Sequence, residues 1–152
     1  MSDPTLFQAQ RELILRLASQ FDEESMLRIP PGRKNNIAWN LGHILTIQQL
    51  LTYKLSGQAL KIPEAYPSLF GKDTSPEGWE GSVDMEEVRS LLQSTAAEFA
   101  ADLEGGAFAN FQPYTMGTGV AVRDIHEAIA FNFFHEGVHT GIILSIQKDL
   151  KR

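Results

Sequence analysis

Cysteine is absent from the 152-residue sequence. Its absence excludes disulfide bonds, thiolate zinc sites and a cysteine nucleophile, so a metal ion would have to be held by histidine and carboxylate side chains. Long apolar runs are lacking too, because Asn, Gln and His interrupt the longest uncharged stretches, and no membrane-spanning helix is predicted. The first residues, MSDPTLFQAQRELILRL, lack the basic start and apolar run of a signal peptide. We therefore expect a cytoplasmic protein without a membrane partner.

The sequence also has no cluster of lysine and arginine that would offset its formal net charge of −6 locally. Nucleic acid is therefore not an expected partner, since such a surface repels phosphate backbones. The fractions of hydrophobic (43%) and charged (21%) residues are those of a globular protein. The length suits one hydrophobic core, and we predict that residues 1–152 form a single domain.

Four segments have the apolar spacing of amphipathic helices. The first is predicted to begin with Asp3 as N-cap and Pro4 at the first helical position, and to stop before the prolines at 30 and 31. Its predicted apolar face comprises Leu6, Leu13, Ile14, Leu17 and Phe21. The second is predicted to be capped by Asn35 or Asn36 and to end at Gly57, a residue suited to a left-handed stop.

The third predicted helix begins where Asp84 and Glu87 have the spacing of a capping box, and it ends at the glycines 105 and 106. The fourth begins near Arg123, after a flexible MGTG stretch, and runs toward the end of the sequence. Between Gly57 and Ser82 lies a connection rich in Pro and Gly. These features predict an all-α protein, an antiparallel four-helix bundle with one long connection between the second and third helices.

The most specific short motif is His135-Glu136-Gly137-Val138-His139, which has the H-E-x-x-H pattern. Positions four apart on a helix differ by about 40° in rotation, so both imidazoles leave the same face and can bind one ion. Catalytic zinc sites usually have a third protein ligand and one open position.

The third ligand decides between a peptidase and another kind of metal site. The metzincin extension would require histidine where Ser145 stands, and Asp149 lies too far along the same helix, so the peptidase hypothesis lacks a ligand. His43, in the middle of the second predicted helix, is the natural third ligand. Without a metal, His43 would be a core histidine satisfied by a hydrogen bond, and the pair on the fourth helix would be solvated. The sequence has four histidines in all, and we expect the other, His126, to be structural or solvated.

Three blocks of the sequence resemble the DinB-like family, also called the YfiT-like or damage-inducible family of four-helix-bundle metalloenzymes. The first block is Trp39-Asn40-Leu41-Gly42-His43-Ile44, the second Leu69-Phe70-Gly71 with Thr74-Ser75-Pro76, and the third runs from His135-Glu136 to His139-Thr140-Gly141. The resemblance covers nearly the whole chain.

The resemblance implies one divalent ion, with zinc or nickel expected first, held by His43, His135 and His139. It also implies a small-molecule substrate, because some relatives are thiol-dependent S-transferases or isomerases that use bacillithiol or mycothiol, with the open metal position accepting the thiolate. The function that this resemblance implies is that of a metal-dependent thiol S-transferase or a related metal-dependent hydrolase. The alternative is a metal-binding or stress-associated bundle without turnover, in which the ion stabilises the fold.

Other residues near the histidines have two interpretations each. Glu136 is either a general base, as in zinc peptidases, or the partner of a neighbouring helix. Asn132 and Asn36 are candidates to orient a ligand imidazole or contact substrate, although Asn36 is also a helix cap. Trp39 either lines a substrate pocket or belongs to the core. The glycines 137 and 141 would let another helix approach closely, in a homodimer or within the bundle.

Overall fold

The computed structural model describes residues 4–151. Helices account for most of this part of the chain, and the predicted all-α class is confirmed. The helices are α1 (Pro4–Ala18), α2 (Glu23–Leu27), α3 (Ile37–Thr52), α4 (Tyr66–Phe70), α5 (Met85–Glu104) and α6 (Ile125–Leu150). Two single 3₁₀ turns, Lys54–Ser56 and Pro76–Gly78, lie between α3 and α5. The long helices α1, α3, α5 and α6 correspond to the four predicted ones.

The bundle is built from two antiparallel helix pairs. α1 packs mainly on α5 and α3 mainly on α6. Phe7 of α1 contacts Phe99 near the end of α5, and His43 of α3 contacts His135 of α6. Tyr53, directly after α3, also contacts Phe99, so α3 and α5 point the same way. The long connection between them allows this arrangement, because it returns the chain along the bundle before α5 begins.

Side-chain caps fix the starts of the helices. Asn36 Oδ1 accepts a hydrogen bond from the Trp39 amide at 2.7 Å, which confirms one of the two caps predicted for α3. Asp84 caps α5 as predicted, but Glu87 accepts a bond from the Tyr66 hydroxyl at 2.8 Å and completes no capping box. Asp124, next to the predicted start at 123, caps α6. The cap predicted at Asp3 lies outside the described residues.

Several boundaries differ from the sequence prediction. The first predicted helix is divided, because Asp22 caps the separate helix α2 by accepting a bond from the Ser25 amide at 2.8 Å. The MGTG stretch, predicted as flexible, is the turn of a hairpin in which β1 (Tyr114–Thr115) pairs antiparallel with β2 (Ala121–Val122). Gly119 makes this turn with a φ of 86° that a glycine adopts without strain. The strand pair was missed because each strand is only two residues long.

Buried polar side chains separate two apolar clusters along the bundle. One cluster includes Ile14, Leu41 and Ile143, and the other includes Phe7, Tyr53 and Phe99. Along each of the four long helices, buried polar residues lie between the members of the two clusters. They are Arg11, Thr46, Gln48, Gln49, Thr52, Thr95, Asn132 and Glu136. Within this layer, Arg11 of α1 donates hydrogen bonds to Glu136 of α6, and these bonds help to set how those two helices are rotated against each other.

The buried face of α1 differs from the predicted one. Leu6 and Leu13 are 57% and 47% exposed, whereas Phe7 and Arg11 are almost fully buried. The prediction was wrong for these leucines because it assumed that only apolar residues face the core. Among residues 4–151, no helix is long and apolar enough to cross a membrane.

Candidate metal centre

His43 is positioned by the packing of α4 against α3. The ring of Phe70 occupies the space where a Cβ atom of residue 42 would lie, so Gly42 allows α4 to approach α3. This approach brings the main-chain carbonyl of Phe70 to His43, whose Nδ1 donates to it at 2.6 Å. His43 is 6% exposed and has its ring held in place on α3.

The antiparallel packing of α3 and α6 brings the three histidines together. His135 and His139 lie one turn apart on α6, and the Nε2 atoms of His135 and His43 are 3.2 Å apart. One ring nitrogen from each of the three histidines can be chosen so that all lie within 4.8 Å of one another. In a tetrahedral site with metal–nitrogen bonds of about 2.0–2.1 Å, ligand nitrogens are about 3.3 Å apart. The three imidazoles are therefore close enough together that they could hold one divalent ion.

Hydrogen bonds select the nitrogen that His43 and His139 offer. A carbonyl oxygen only accepts, so the bond to Phe70 places the hydrogen of His43 on Nδ1 and leaves Nε2 with its lone pair. His139 Nδ1 donates to Asn40 Oδ1 at 2.8 Å. The orientation of that amide is set because Asn40 Nδ2 donates to the Asn36 carbonyl at 2.7 Å. Such supporting bonds orient metal-binding imidazoles.

Electrostatics keep the cluster neutral near pH 7. Burial lowers the pKa of His135 to about 3, with smaller contributions from His139, His43 and Arg11. Burial also lowers the pKa of His139 to about 4, and His43 adds to that shift. The pKa of His43 is lowered by burial, which outweighs the opposing bond to Phe70. Neutral imidazoles have the free lone pairs that metal binding requires.

Trp39 packs beside the cluster. Its indole stacks on the His43 ring with centroids 4.4 Å apart and an interplanar angle of 17°. Its Nε1 donates to Thr74 Oγ1 at 2.9 Å, and this threonine belongs to the connection between α3 and α5. Trp39 is 5% exposed. Its position favours a role in fixing the His43 ring from one side.

Glu136 lies in the polar layer, where neighbouring side chains hold both of its oxygens. Arg11 donates to Oε1 at 2.7 Å and, through Nε, to both oxygens at 3.1 Å. Gln10 donates to Oε2 and Asn132 to Oε1, at 2.9 and 2.8 Å. Glu136 is fully buried. This geometry favours the helix-pairing interpretation over the general base.

The asparagines predicted near the site have separate positions. Asn36 caps α3, and its side-chain amide donates to the Leu27 carbonyl at 2.8 Å. Its main-chain carbonyl accepts the hydrogen bond that orients Asn40. Asn132 contacts Glu136 and is 1% exposed. Among the described residues, neither asparagine side chain has a hydrogen bond to an imidazole of the histidine cluster. His126 is exposed at the start of α6, as expected.

A pocket of about 520 Å³ opens beside the cluster and includes His43 and His135 in its wall. Its apolar lining comes from α3, the residues after it, the hairpin and α6: Ile47, Leu50, Leu51, Leu55, Met116 and Phe131. Tyr114, Lys54 and Lys72 also line it. A pocket of this size and lining is typical of small-molecule sites.

Sequence reasoning missed two supports of the cluster. Asn40 lies three residues before His43, so both occupy one face of α3, and this spacing was the available signal. The Phe70 carbonyl is a main-chain atom that no side-chain pattern reveals. The pocket lysines were also missed, because they lie far from the histidines in the sequence.

Comparison with known proteins identifies the family. No curated protein matches the chain in sequence. The model of the DinB superfamily matches residues 6–143, which include all three histidines of the cluster, the whole of α3 and α5, and most of α1 and α6. The chain therefore belongs to the DinB superfamily.

Proposed function

We propose that this protein is a divalent-metal-dependent enzyme that uses a small thiol in an S-transfer reaction, with His43, His135 and His139 as the metal ligands. The observation that carries the proposal is the convergence of three neutral imidazoles, two of which, those of His43 and His135, lie in the wall of a pocket. Zinc and nickel are the expected ions, since both accept imidazole nitrogen. When bound, such an ion lowers the pKa of a thiol or water so that its anion is available near neutral pH.

The chain's own residues would hold and shape this site. Phe70 and Asn40 orient two of the imidazoles, and Trp39 supports the ring of His43. The apolar side chains of the pocket exclude water and strengthen charge interactions near the ligands. In the transfer, the thiol sulfur forms a bond to an electrophilic carbon, the bond to the leaving group breaks, and the thiol proton passes to solvent.

A purely structural metal site is the alternative from another class, and hydrolysis is a related reaction of the same centre. Structural zinc sites are usually closed by four protein ligands, whereas catalytic sites keep a position open. Among residues 4–151, the group that could hold an ion has three members, all histidines. The adjoining pocket gives a small molecule access to it, which supports catalysis.

Metal analysis of protein purified without a histidine tag tests the metal part of the proposal. We expect one zinc or nickel ion per chain after equilibration, and loss of that ion in each of the variants His43→Ala, His135→Ala and His139→Ala. His126→Ala is the matched control, because His126 is exposed and lies outside the cluster. Full metal content in any of the three ligand variants would contradict the ligand assignment.

The S-transfer part is tested with metal-loaded protein, monochlorobimane as electrophile, and bacillithiol, mycothiol or glutathione as thiol. We expect one of these thiols to be conjugated faster than in the metal-stripped control. The His126→Ala variant should keep the rate, and His139→Ala should lose it. Equal rates with and without metal for all three thiols would remove the transferase proposal and leave hydrolysis and the structural alternative.

A further inference from the structure

The charged side chains of the pocket have one sign. Lys54 and Lys72 line it together with His43 and His135, and no carboxylate is part of the lining. The whole chain has 13 basic and 19 acidic side chains, so this local excess of positive charge runs against the composition. A cleft lined by one sign of charge with apolar walls attracts ligands of the opposite sign.

The charges of both lysines remain available to a ligand. Lys54 is exposed and, among the described residues, has no carboxylate within ion-pair distance. Lys72 has only the distant and largely exposed Asp73, with Nζ and Oδ2 3.9 Å apart. Lys61 shows the contrast, because its Nζ pairs with Glu98 and Asp102 at 3.2 and 2.5 Å. Lys54 thus has no carboxylate partner among the described residues, and Lys72 has only the long, exposed pairing with Asp73.

The position of Lys72 connects its charge to the metal cluster. It follows Phe70, whose carbonyl holds His43, by two residues. Its ammonium group reaches the hairpin turn, where a Cβ atom on Gly117 would lie 3.2 Å from Nζ. Gly117 therefore leaves room for the ammonium group beside the turn. Lys54 lies two residues after the end of α3, at the start of the 3₁₀ turn Lys54–Ser56.

We propose that this pocket binds a small amphipathic carboxylate, whose apolar body packs on Leu50, Leu55 and Phe131 and whose acid group pairs with Lys54 and Lys72. The inference rests on the proposed function in one respect, namely that this pocket is the substrate site of the metal centre. It adds the substrate class: a molecule with an anionic end and an apolar body. Neutral and cationic molecules of the same shape bind more weakly, because they form no ion pair with the lysines.

Binding of octanoate, 1-octanol and octylamine to the metal-free protein tests this proposal by isothermal titration calorimetry. These probes share one chain length and differ in the charge of the head group, and without a metal the carboxylate cannot bind an ion instead. We expect octanoate to bind most tightly and octylamine least. Because exposed ion pairs are weak, Lys54→Gln or Lys72→Gln should reduce octanoate affinity about two- to fivefold, and both together about tenfold. Added salt should weaken octanoate binding only.

Lys148→Gln is the matched control, because Lys148 is exposed near the end of α6 and outside the pocket. It should leave octanoate affinity unchanged, and no lysine variant should alter the affinity for octanol. Equal binding of octanoate and octanol, or unchanged octanoate affinity in the double variant, would overturn the proposal. Because these measurements use neither metal nor thiol, they can succeed when the conjugation assay fails, and the reverse also holds.

Discussion

The ion pair between Arg11 and Glu136 provides a test of how this bundle is held together. Both side chains are essentially inaccessible to solvent, with exposures of 1% and 0%. Replacing Arg11 with Met would leave the carboxylate with only two neutral donors, Gln10 and Asn132. Replacing Glu136 with Gln would leave a buried guanidinium whose Nη1 already has no partner among the described residues. Each single change therefore isolates a buried charge.

The expected losses follow from that isolation. Breaking a buried ion pair by removing one partner costs about 3–5 kcal/mol, whereas replacing both partners with apolar groups is often neutral or stabilising. We therefore expect Arg11→Met and Glu136→Gln each to lower the free energy of unfolding by about 3–5 kcal/mol. For a chain of 152 residues this is a fall in Tm of roughly 6–20 °C. The double variant Arg11→Met with Glu136→Met should recover most of the loss.

Urea unfolding of the metal-free protein, followed by circular dichroism, measures these differences and the coupling between the two residues. Arg16→Met is the matched control on α1, because Arg16 is exposed, and it should change stability by no more than about 0.5 kcal/mol. Additive losses in the double variant would refute the reasoning. A Glu136→Gln variant of unchanged stability that loses turnover would instead identify Glu136 as the general base.

Three further predictions concern the cluster. Asn40→Leu removes the acceptor for His139 and should weaken zinc binding about 10- to 100-fold in a chelator competition, and unchanged affinity would argue against this support. Gly42→Ala introduces a methyl group into the Phe70 ring and should lower the free energy of unfolding by about 1–3 kcal/mol in urea, which an unchanged midpoint would contradict. Because His135 and His139 have pKa values lowered to about 3 and 4, the unfolded chain binds more protons below about pH 6.5. The metal-free protein should therefore lose stability as the pH falls from 6.5 toward 4, and a flat profile would contradict neutral burial.

The shared face of the histidine pair on α6 and several helix boundaries could be predicted from the sequence because they depend on local spacing. His135 and His139 share a face through the helical repeat alone. Asn36 and Asp84 cap helices through bonds to amides within three residues. α3 itself ends at Thr52, before the predicted stop at Gly57, but Gly57 does end the 3₁₀ turn Lys54–Ser56, with a φ of 71° that glycine adopts freely. Such features need no knowledge of the tertiary structure.

The features that could not be predicted depend on contacts between distant residues. Arg11 faces the core because Glu136, on another helix, neutralises it, so apolar periodicity alone wrongly placed Leu6 and Leu13 in the core and left Arg11 out. The partner of His43 is a main-chain carbonyl of α4, brought near by the close packing at Gly42. One wall of the pocket forms where the hairpin, at Gly117, lies beside Lys72. None of these contacts has a signal within a window of one helix.

The H-E-x-x-H pattern has a different consequence here from the one it has in zinc peptidases. Residues next to each other on a helix differ by about 100° in rotation, so once His135 faces α3, Glu136 must face another neighbour. That neighbour is α1, whose Gln10 and Arg11 hold both carboxylate oxygens. A carboxylate held in this way has no free side toward a water in the pocket. We therefore expect the zinc-loaded protein to leave casein intact, and metal-dependent cleavage that is lost in Glu136→Gln would show that the carboxylate leaves Arg11 and acts at the cluster.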